Sequence, residues 1–508
     1  MSVAARSISA VLWGVGGAIL RMALQFGTQI ALARMLGPDS YGVFAIGAVV
    51  IGFSGFFSDV GIAYGLIQKR EVTDRDVRFV FTWQCILGLS VTVAVALGAG
   101  KIAAFFGETR AELVVLALAP LCFVNALSAP AMNLLKRALD FRTLQLSFLI
   151  SYLVGYVLVG IPLALAGLQV WALVLAWSVQ ATLNGWLLYR ASRHSLTPLI
   201  WYEQARQQGM YGLTVLATNL LNWVIASIDR VIIGRLLPAR SVGLYATSYN
   251  LVFMPTSSLM SAIQPVFFSA SARLAEGKTA TEIDAASLQR GLLSLVGAVS
   301  LFVLPAFCVL SVLSHPFVLA LYGKAWVDAS ALLRPLALAM PFYLVWGMTT
   351  PVLWASGNAS REFRTQWPLA ICWVLGCWQA VEHFGAQGAA WGLLVLFATR
   401  CIIMLVTVMG LLHLRAAALL RCVAGGVAMA ALLSLVAAIA QAALLRAPPL
   451  VGLLAVGVLC LAMGMLALRL VPAFICPELG SLLARVIQRL PPALALRLGF
   501  LRGREART

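Results

Sequence analysis

The stretch Ala33-Arg34-Met35-Leu36-Gly37-Pro38-Asp39-Ser40-Tyr41-Gly42-Val43-Phe44 closes one long apolar run and opens the next. It returns 201 positions later as Gly234-Arg235-Leu236-Leu237-Pro238-Ala239-Arg240-Ser241-Val242-Gly243-Leu244-Tyr245. Arg34 falls on Arg235, Leu36 on Leu237, Ser40 on Ser241 and Gly42 on Gly243. A turn used twice at one place between spanning helices marks a duplicated membrane unit.

Other local features repeat with it. Phe106-Gly107-Glu108 matches Tyr322-Gly323-Lys324, and Gly167-Leu168-Gln169 matches Gly385-Ala386-Gln387. Pro120 and Pro130 in the fourth span match Pro341 and Pro351 in the tenth. Each proline removes a backbone donor and permits a bend.

Composition supports the same class. The 508 residues are 62% hydrophobic and 11% charged, with mean hydropathy +0.95. That balance suits an all-α polytopic membrane protein and excludes a soluble domain. The apolar runs are continuous, which excludes a β-barrel. No cleavable signal peptide is expected, because the first apolar run is too long, carries Arg21 and lacks a small-residue cleavage site.

The periodicity predicts about 14 transmembrane helices: 10–33, 41–67, 78–100, 112–135, 143–166, 170–190, 210–234, 242–270, 290–314, 331–355, 366–384, 387–411, 418–444 and 450–471. Residues 1–190 form an N-lobe, 191–209 a connector, 210–412 a C-lobe, 413–471 two further spans, and 472–508 a basic amphipathic tail. In the tail, Leu479, Leu482, Leu483, Val486 and Leu490 recur at helical spacing around Arg485 and Arg489, as in an interfacial helix. Each half has an even number of spans, so the two lobes are parallel repeats rather than inverted ones.

The net charge of +18 follows from topology. With the N-terminus inside, 25 of the 36 Lys and Arg fall on inner segments and eight on outer ones. That asymmetry places both termini in the cytoplasm. No nucleic-acid motif accompanies the charge.

The remaining three basic residues, Arg21, Arg230 and Arg400, lie within spans. Arg21 is roughly 16 Å from the inner end at 1.5 Å per residue, too deep for easy snorkelling. An arginine at mid-depth costs about 2.5–3.5 kcal/mol on the lenient insertion scale. Gly14, Gly17, Arg21, Gln25 and Thr28 share one helix face; Thr214, Thr218, Asn222, Ala226 and Asp229 share the matching face of the seventh span. Two readings follow: both stripes line a wet central cavity, or Arg21 pairs with Asp59 of the antiparallel second span. Arg400 is a cavity candidate without a polar stripe to orient it. The candidate substrate-binding residues are therefore Arg21, Gln25, Asp59, Asn222, Asp229 and Arg400.

Enzyme chemistry finds no support. His194, His315, His383 and His413 make no metal-ligand spacing with acids, no P-loop occurs, and no outer loop is long. The nine cysteines are scattered and read as small apolar side chains. No cofactor is expected; whether H⁺ or Na⁺ couples to transport is not legible.

The turn at Ala33–Gly42, the step Asp59-Val60-Gly61 with Leu66-Ile67-Gln68, and Asp229-Arg230 with Ile233-Gly234-Arg235 resemble the polysaccharide-transporter branch of the multidrug/oligosaccharidyl-lipid/polysaccharide exporter superfamily, the Wzx/WzxC-type flippases. The likeness covers about residues 8–415. The second turn departs from the pattern, with Pro238-Ala239 where Gly-Pro is usual. The resemblance implies a MATE/MOP-like fold in the bacterial inner membrane. It implies alternating access by an undecaprenyl-pyrophosphate-linked oligosaccharide, with membrane lipids, a polysaccharide polymerase and export machinery as partners. A multidrug or cation antiporter of the same fold and a lipid II flippase are the alternatives. An antiporter would place acids, not Arg21, at mid-depth.

Overall fold

The computed structural model describes the backbone of residues 3–59, 62–64, 66, 71–203, 205–275, 285–355, 359–444 and 448–487. Within these, the side chains of 3–15, 18, 58–59, 64, 205–215, 217–218, 262, 265–275, 285–287, 354–355, 359–361, 363, 472 and 485–487 lie outside the description. Asp59, Thr214 and Thr218 are thus outside the described side chains, as are Arg489 and Leu490 of the tail.

Among the described residues the regular secondary structure is all helical. In order come α1 (Val3–Asp59), α2 (Asp74–Phe106), α3 (Arg110–Leu118), α4 (Pro120–Arg137), α5 (Phe141–Tyr152), α6 (Ile161–Leu165), α7 (Val170–Ser192), α8 (Ala205–Leu236) and α9 (Ala239–Ala275). Then follow α10 (Ala285–Ala298), α11 (Leu304–Val312), α12 (Ser314–Tyr322), α13 (Ala329–Ala355), α14 (Ala359–Leu412), α15 (Ala416–Ala443), α16 (Pro449–Leu470) and α17 (Pro477–Ile487). Among the described residues, ten helical stretches are long and apolar enough to cross a membrane. Two of them, in α1 and α14, are bent by non-helical backbone at Gly37 and Gly385. The protein is a multi-pass membrane protein.

Turn glycines carry the duplication into backbone geometry. Gly107 and Gly323 have φ of 65° and 86°, and Gly167 and Gly385 have 82° and 63°. Both matched pairs occupy the left-handed side of conformational space, where a Cβ is penalised. Gly37, at φ 71°, bends α1 without interrupting it. Its counterpart is Pro238, whose ring holds φ near −65°. There the chain breaks into two helices, α8 and α9, instead of bending. Prolines shape the interior in a second way: the π-helical segments Leu153–Gly160 and Val299–Val303 lie just before Pro162 and Pro305. A missing donor one turn ahead favours such a widened turn.

The chain divides into two compact units, Met1–Thr247 with Cys377–Ala386, and Ser248–Gly376 with Gln387–Thr508. In the first, the two copies of the opening turn touch each other. A Cβ on Gly42 would lie 1.8 Å from the Ala239 carbonyl oxygen, and one on Gly243 would lie 2.1 Å from that of Pro38. Positions 38 and 239 are equivalents, as are 42 and 243, so the contact is reciprocal. Arg240 adds an exposed ion pair to Asp39 at 3.7 Å, and the Arg235 guanidinium donates to the Phe105 carbonyl at 2.8 Å.

The connector after α7 is strapped along α2. Thr73 and Asp76 start α2 with a reciprocal capping box. One and two turns on, Arg78 donates to the carbonyls of Thr197 and Pro198, Thr82 accepts from the Leu199 amide at 2.8 Å, and Trp83 donates to the Ile200 carbonyl. The Tyr202 hydroxyl donates to the Asp76 carboxylate at 2.5 Å. His194 is buried edge-on to Phe81 and Tyr189, and neither ring nitrogen has a hydrogen-bond partner among the described residues.

In the second unit, α10, α13 and α14 share one core of Leu292, Met348, Met404 and Val408. The tail helix α17 sits on α10 and α15: Leu479 is 2% exposed and packs with Leu293, Cys422 and Met429, while Leu482 and Leu483 border that cluster.

Two outcomes follow. Gly42→Ala and Gly243→Ala should each lower the melting temperature of the detergent-solubilised protein by several degrees, whereas Gly27→Ala, with open space around its Cβ, should leave it unchanged or raise it; equal effects at all three would count against the reciprocal contact. Burial pushes the His194 imidazole below its ordinary range. The unfolded chain then takes up the proton first, so stability is full above the ordinary value near 6.5 and falls on acidification until the folded-state value is passed. His194→Phe should flatten the dependence of unfolding on pH below about 6.5; an unchanged slope would show that another group sets it.

Candidate functional site

Each unit holds an arginine within a membrane-spanning helix, Arg400 buried and Arg21 half-buried, and they are handled differently. Arg400 lies on the second half of α14 and is 4% exposed. Its guanidinium stacks over the Trp346 ring of α13, 3.5 Å from the centroid. A desolvated cation–π contact contributes about 2 kcal/mol, which offsets part of the burial cost. Tyr343 and Phe397 extend the aromatic surface, with ring centroids 5.5 Å apart, and Tyr343 also meets Trp346 at 5.5 Å.

The hydrogen-bonding needs of this stack are not met. Among the described residues, Arg400 Nε and Nη2 have no acceptor, and neither does Trp346 Nε1. A buried donor without an acceptor costs about 1–3 kcal/mol. The nearby carboxylate is otherwise engaged: Glu362, at the start of α14 and 7% exposed, accepts from Thr350 Oγ1 at 3.1 Å and from Gln366 Nε2 at 2.6 Å. The result is a positively charged, aromatic-walled point with three donor nitrogens that meet no acceptor among the described residues. Its chemistry suits an anion with more than one oxygen.

In the first unit, Arg21 is half-buried, and its guanidinium lies over the Phe148 ring at 5.1 Å. The same face of α1 presses on α5, since a Cβ on Gly17 would lie 2.7 Å from Gln145 Cγ. Phe148, Tyr152 and Tyr156 form an aromatic ladder along that side, with centroids 5.8 and 4.5 Å apart. Gln25 is half-buried, and the Asp59 side chain, its expected ion-pair partner, is outside the described residues.

Asn222 and Ala226 on α8 are exposed, but Asp229 on the same stripe is 0% exposed. Its carboxylate accepts from the Tyr245 hydroxyl at 2.6 Å and from the Arg230 amide at 2.8 Å. The Arg230 guanidinium lies 3.6 Å away and donates to the Ala226 carbonyl. Asp229 therefore has its partners inside the protein. Beside Asn222, Trp223 helps line an apolar cleft of about 900 Å³, with Phe53 and Phe57 of α1 and Val91 and Phe105 of α2; Ser54, Ser90 and Lys101 supply its polar groups.

Sequence reading named the charged residues and missed what surrounds them. Phe148, Tyr245 and Trp346 look like ordinary apolar positions in a span. Glu362 stands between Arg361 and Arg364, in a basic stretch read as a loop. Its one signal is Gln366, one helical turn on.

Tyr245→Phe removes the donor to a fully enclosed carboxylate. It should destabilise the folded protein by about 1–3 kcal/mol, seen as a lower melting temperature, and adding Asp229→Asn should recover part of the loss. Additive losses in the double variant would show that the two side chains are not coupled.

Comparison with known proteins sets this geometry in context. Residues 31–331 match the family described as polysaccharide biosynthesis protein. The chain is 23% identical over 399 residues to the succinoglycan biosynthesis transport protein ExoT of Rhizobium meliloti (strain 1021), covering 78% of each chain. It is 22% identical over 333 residues to the lipopolysaccharide biosynthesis protein WzxC of Escherichia coli (strain K12), covering 64% of this chain and 65% of that one. Among solved structures, the lipid II flippase MurJ in an inward closed conformation superposes with a TM-score of 0.70 at 12% identity, over 94% of this chain and 100% of that one. That likeness shows the fold.

Proposed function

The chain belongs to the polysaccharide biosynthesis protein family, and from that premise we propose that it moves an undecaprenyl-pyrophosphate-linked oligosaccharide from the cytoplasmic to the periplasmic leaflet. It is a transporter and not an enzyme. The observation that carries the reading is Arg400: a buried guanidinium with two donor nitrogens unpaired among the described residues, stacked on a tryptophan whose own N–H is unpaired there. A pyrophosphate head offers several anionic oxygens and would meet all three donors. In a low-dielectric site that attraction is far stronger than in water.

Within the first unit, Arg21, Gln25 and Asn222 offer a cation and polar groups of a kind that suits a charged, sugar-bearing head. Alternating access would expose these groups first to one side of the membrane and then to the other. The polyprenyl tail stays in lipid, and the apolar cleft walled by Phe53, Phe57 and Trp223 is a surface that suits it. The excess of Lys and Arg on one set of loops supports an inner-membrane protein with both termini cytoplasmic. An antiporter for organic cations would want a buried acid free to take the ligand; Asp76, Asp229 and Glu362 all accept hydrogen bonds from other side chains.

In cells lacking the chromosomal copy, Arg400→Ala should reduce polymer export at least tenfold while the protein level in the membrane holds, and Arg400→Lys should keep part of it. Undecaprenyl pyrophosphate should protect the purified wild type, and not Arg400→Ala, against thermal unfolding. Normal export with Arg400→Ala would remove the observation on which the reading stands.

A further inference from the structure

We propose that Cys422, Cys476 and Glu478 form a zinc site that pins the C-terminal helix α17 to α15. The sulfur atoms of the two cysteines and a carboxylate oxygen all lie within 4.8 Å of one another. Cys422 is 3% exposed and Cys476 is 5% exposed, and the Cys422 thiol donates to Glu478 Oε2 at 3.5 Å. Zinc takes thiolate and carboxylate ligands at about 2.3 and 2.0–2.2 Å in a tetrahedron, whose edges are then about 3.5–3.8 Å. The Cys422–Glu478 spacing already matches such an edge, and the widest separation the cluster allows needs a contraction of about 1 Å. The fourth position falls to a water molecule.

The backbone around the cluster is shaped to bring the three together. A Cβ on Gly297 would lie 2.7 Å from Cys476 Sγ, and one on Gly425 would lie 2.2 Å from the Phe474 carbonyl oxygen. One on Gly426 would lie 2.2 Å from the Ser300 carbonyl oxygen. Glycines on α10 and α15 thus let the junction between α16 and α17 sink against both helices, which carries Cys476 to Cys422. Ser294 Oγ then donates to the Glu478 carbonyl at 2.9 Å and fixes the start of α17.

The electrostatics agree with a cation. Cys476 immediately precedes α17 and Glu478 is in its first turn, where the helix dipole favours negative ligands. Leu293, Leu301, Met429 and Leu468 surround the cluster, and such an apolar shell strengthens a metal–thiolate bond. Binding would release one proton from each thiol to solvent, with no change of oxidation state. An apolar-filler role for the cysteines explains neither the carboxylate between them nor the glycine notch. The site is independent of the transport reading.

The test uses the full chain in detergent, stripped by a chelator and titrated with Zn²⁺ against a chromophoric competitor, with Cd²⁺ as a second probe. The wild type should bind one zinc per chain and show the ultraviolet thiolate-to-cadmium band. Glu478→Gln, which keeps the shape, should weaken zinc at least tenfold. Cys422→Ser with Cys476→Ser should abolish both signals, while Cys372→Ser, an exposed cysteine elsewhere in the unit, should change neither. Zinc should raise the melting temperature of the wild type and leave that of Glu478→Gln unmoved. Absence of stoichiometric zinc in the wild type, or binding that survives the double substitution, overturns the site. Alkylation of fresh membranes that finds the two cysteines already joined in a disulfide overturns it as well.

Discussion

Two backbones touch at Gly42 and Gly243, and the first unit is assembled around that contact. With the Pro38 and Ala239 carbonyls about 2 Å from where a Cβ would sit, no side chain fits at either glycine. The contact is its own mirror under the 201-residue shift that relates the repeats. A duplicated chain meets itself most economically where equivalent residues exchange equivalent contacts, as in an isologous interface. Each turn packs against its own copy, and the helices on either side follow. The neighbouring Arg240–Asp39 pair is exposed and contributes little beside it.

The buried polar groups divide by whether the protein satisfies them. Asp229 is enclosed, and two donors meet its carboxylate. Glu362 likewise has Thr350 and Gln366. Such groups hold the fold, because a buried charge with its hydrogen bonds made is stable and one without them is not. Arg400 is the opposite case. Aromatic stacking offsets part of its cost, yet its Nε and Nη2 donors meet no acceptor among the described residues. Arg21 lies between these extremes, half-buried over Phe148. On the function proposed above, the group left wanting a partner is the one offered to cargo.

The C-terminal segment shows how a pattern can be read correctly and still be incomplete. Leu479, Leu482 and Leu483 do fall on one face of a helix. That face packs on the bundle through Leu293 and Met429. Amphipathic periodicity says only that one side seeks an apolar surface, and both a membrane interface and a neighbouring helix provide one. The cysteines illustrate the same limit: 54 residues separate Cys422 from Cys476 in the chain, and no spacing rule links them.

Helical membrane class, turn positions and family were legible in the linear order of residues, because each rests on chemistry local to the chain. Twenty apolar residues span a bilayer wherever they occur, and a glycine at Gly107, Gly167, Gly323 or Gly385 turns the chain whatever lies beyond it. The surroundings of Arg21, Asp229 and Arg400 were settled by packing. A helix turns 100° per residue, so a small rotation or shift in depth decides whether Asp229 meets water or Tyr245. Those rotations depend on contacts between residues far apart in the chain, such as Gly17 with Gln145 or Arg400 with Trp346, and only the folded molecule contains them.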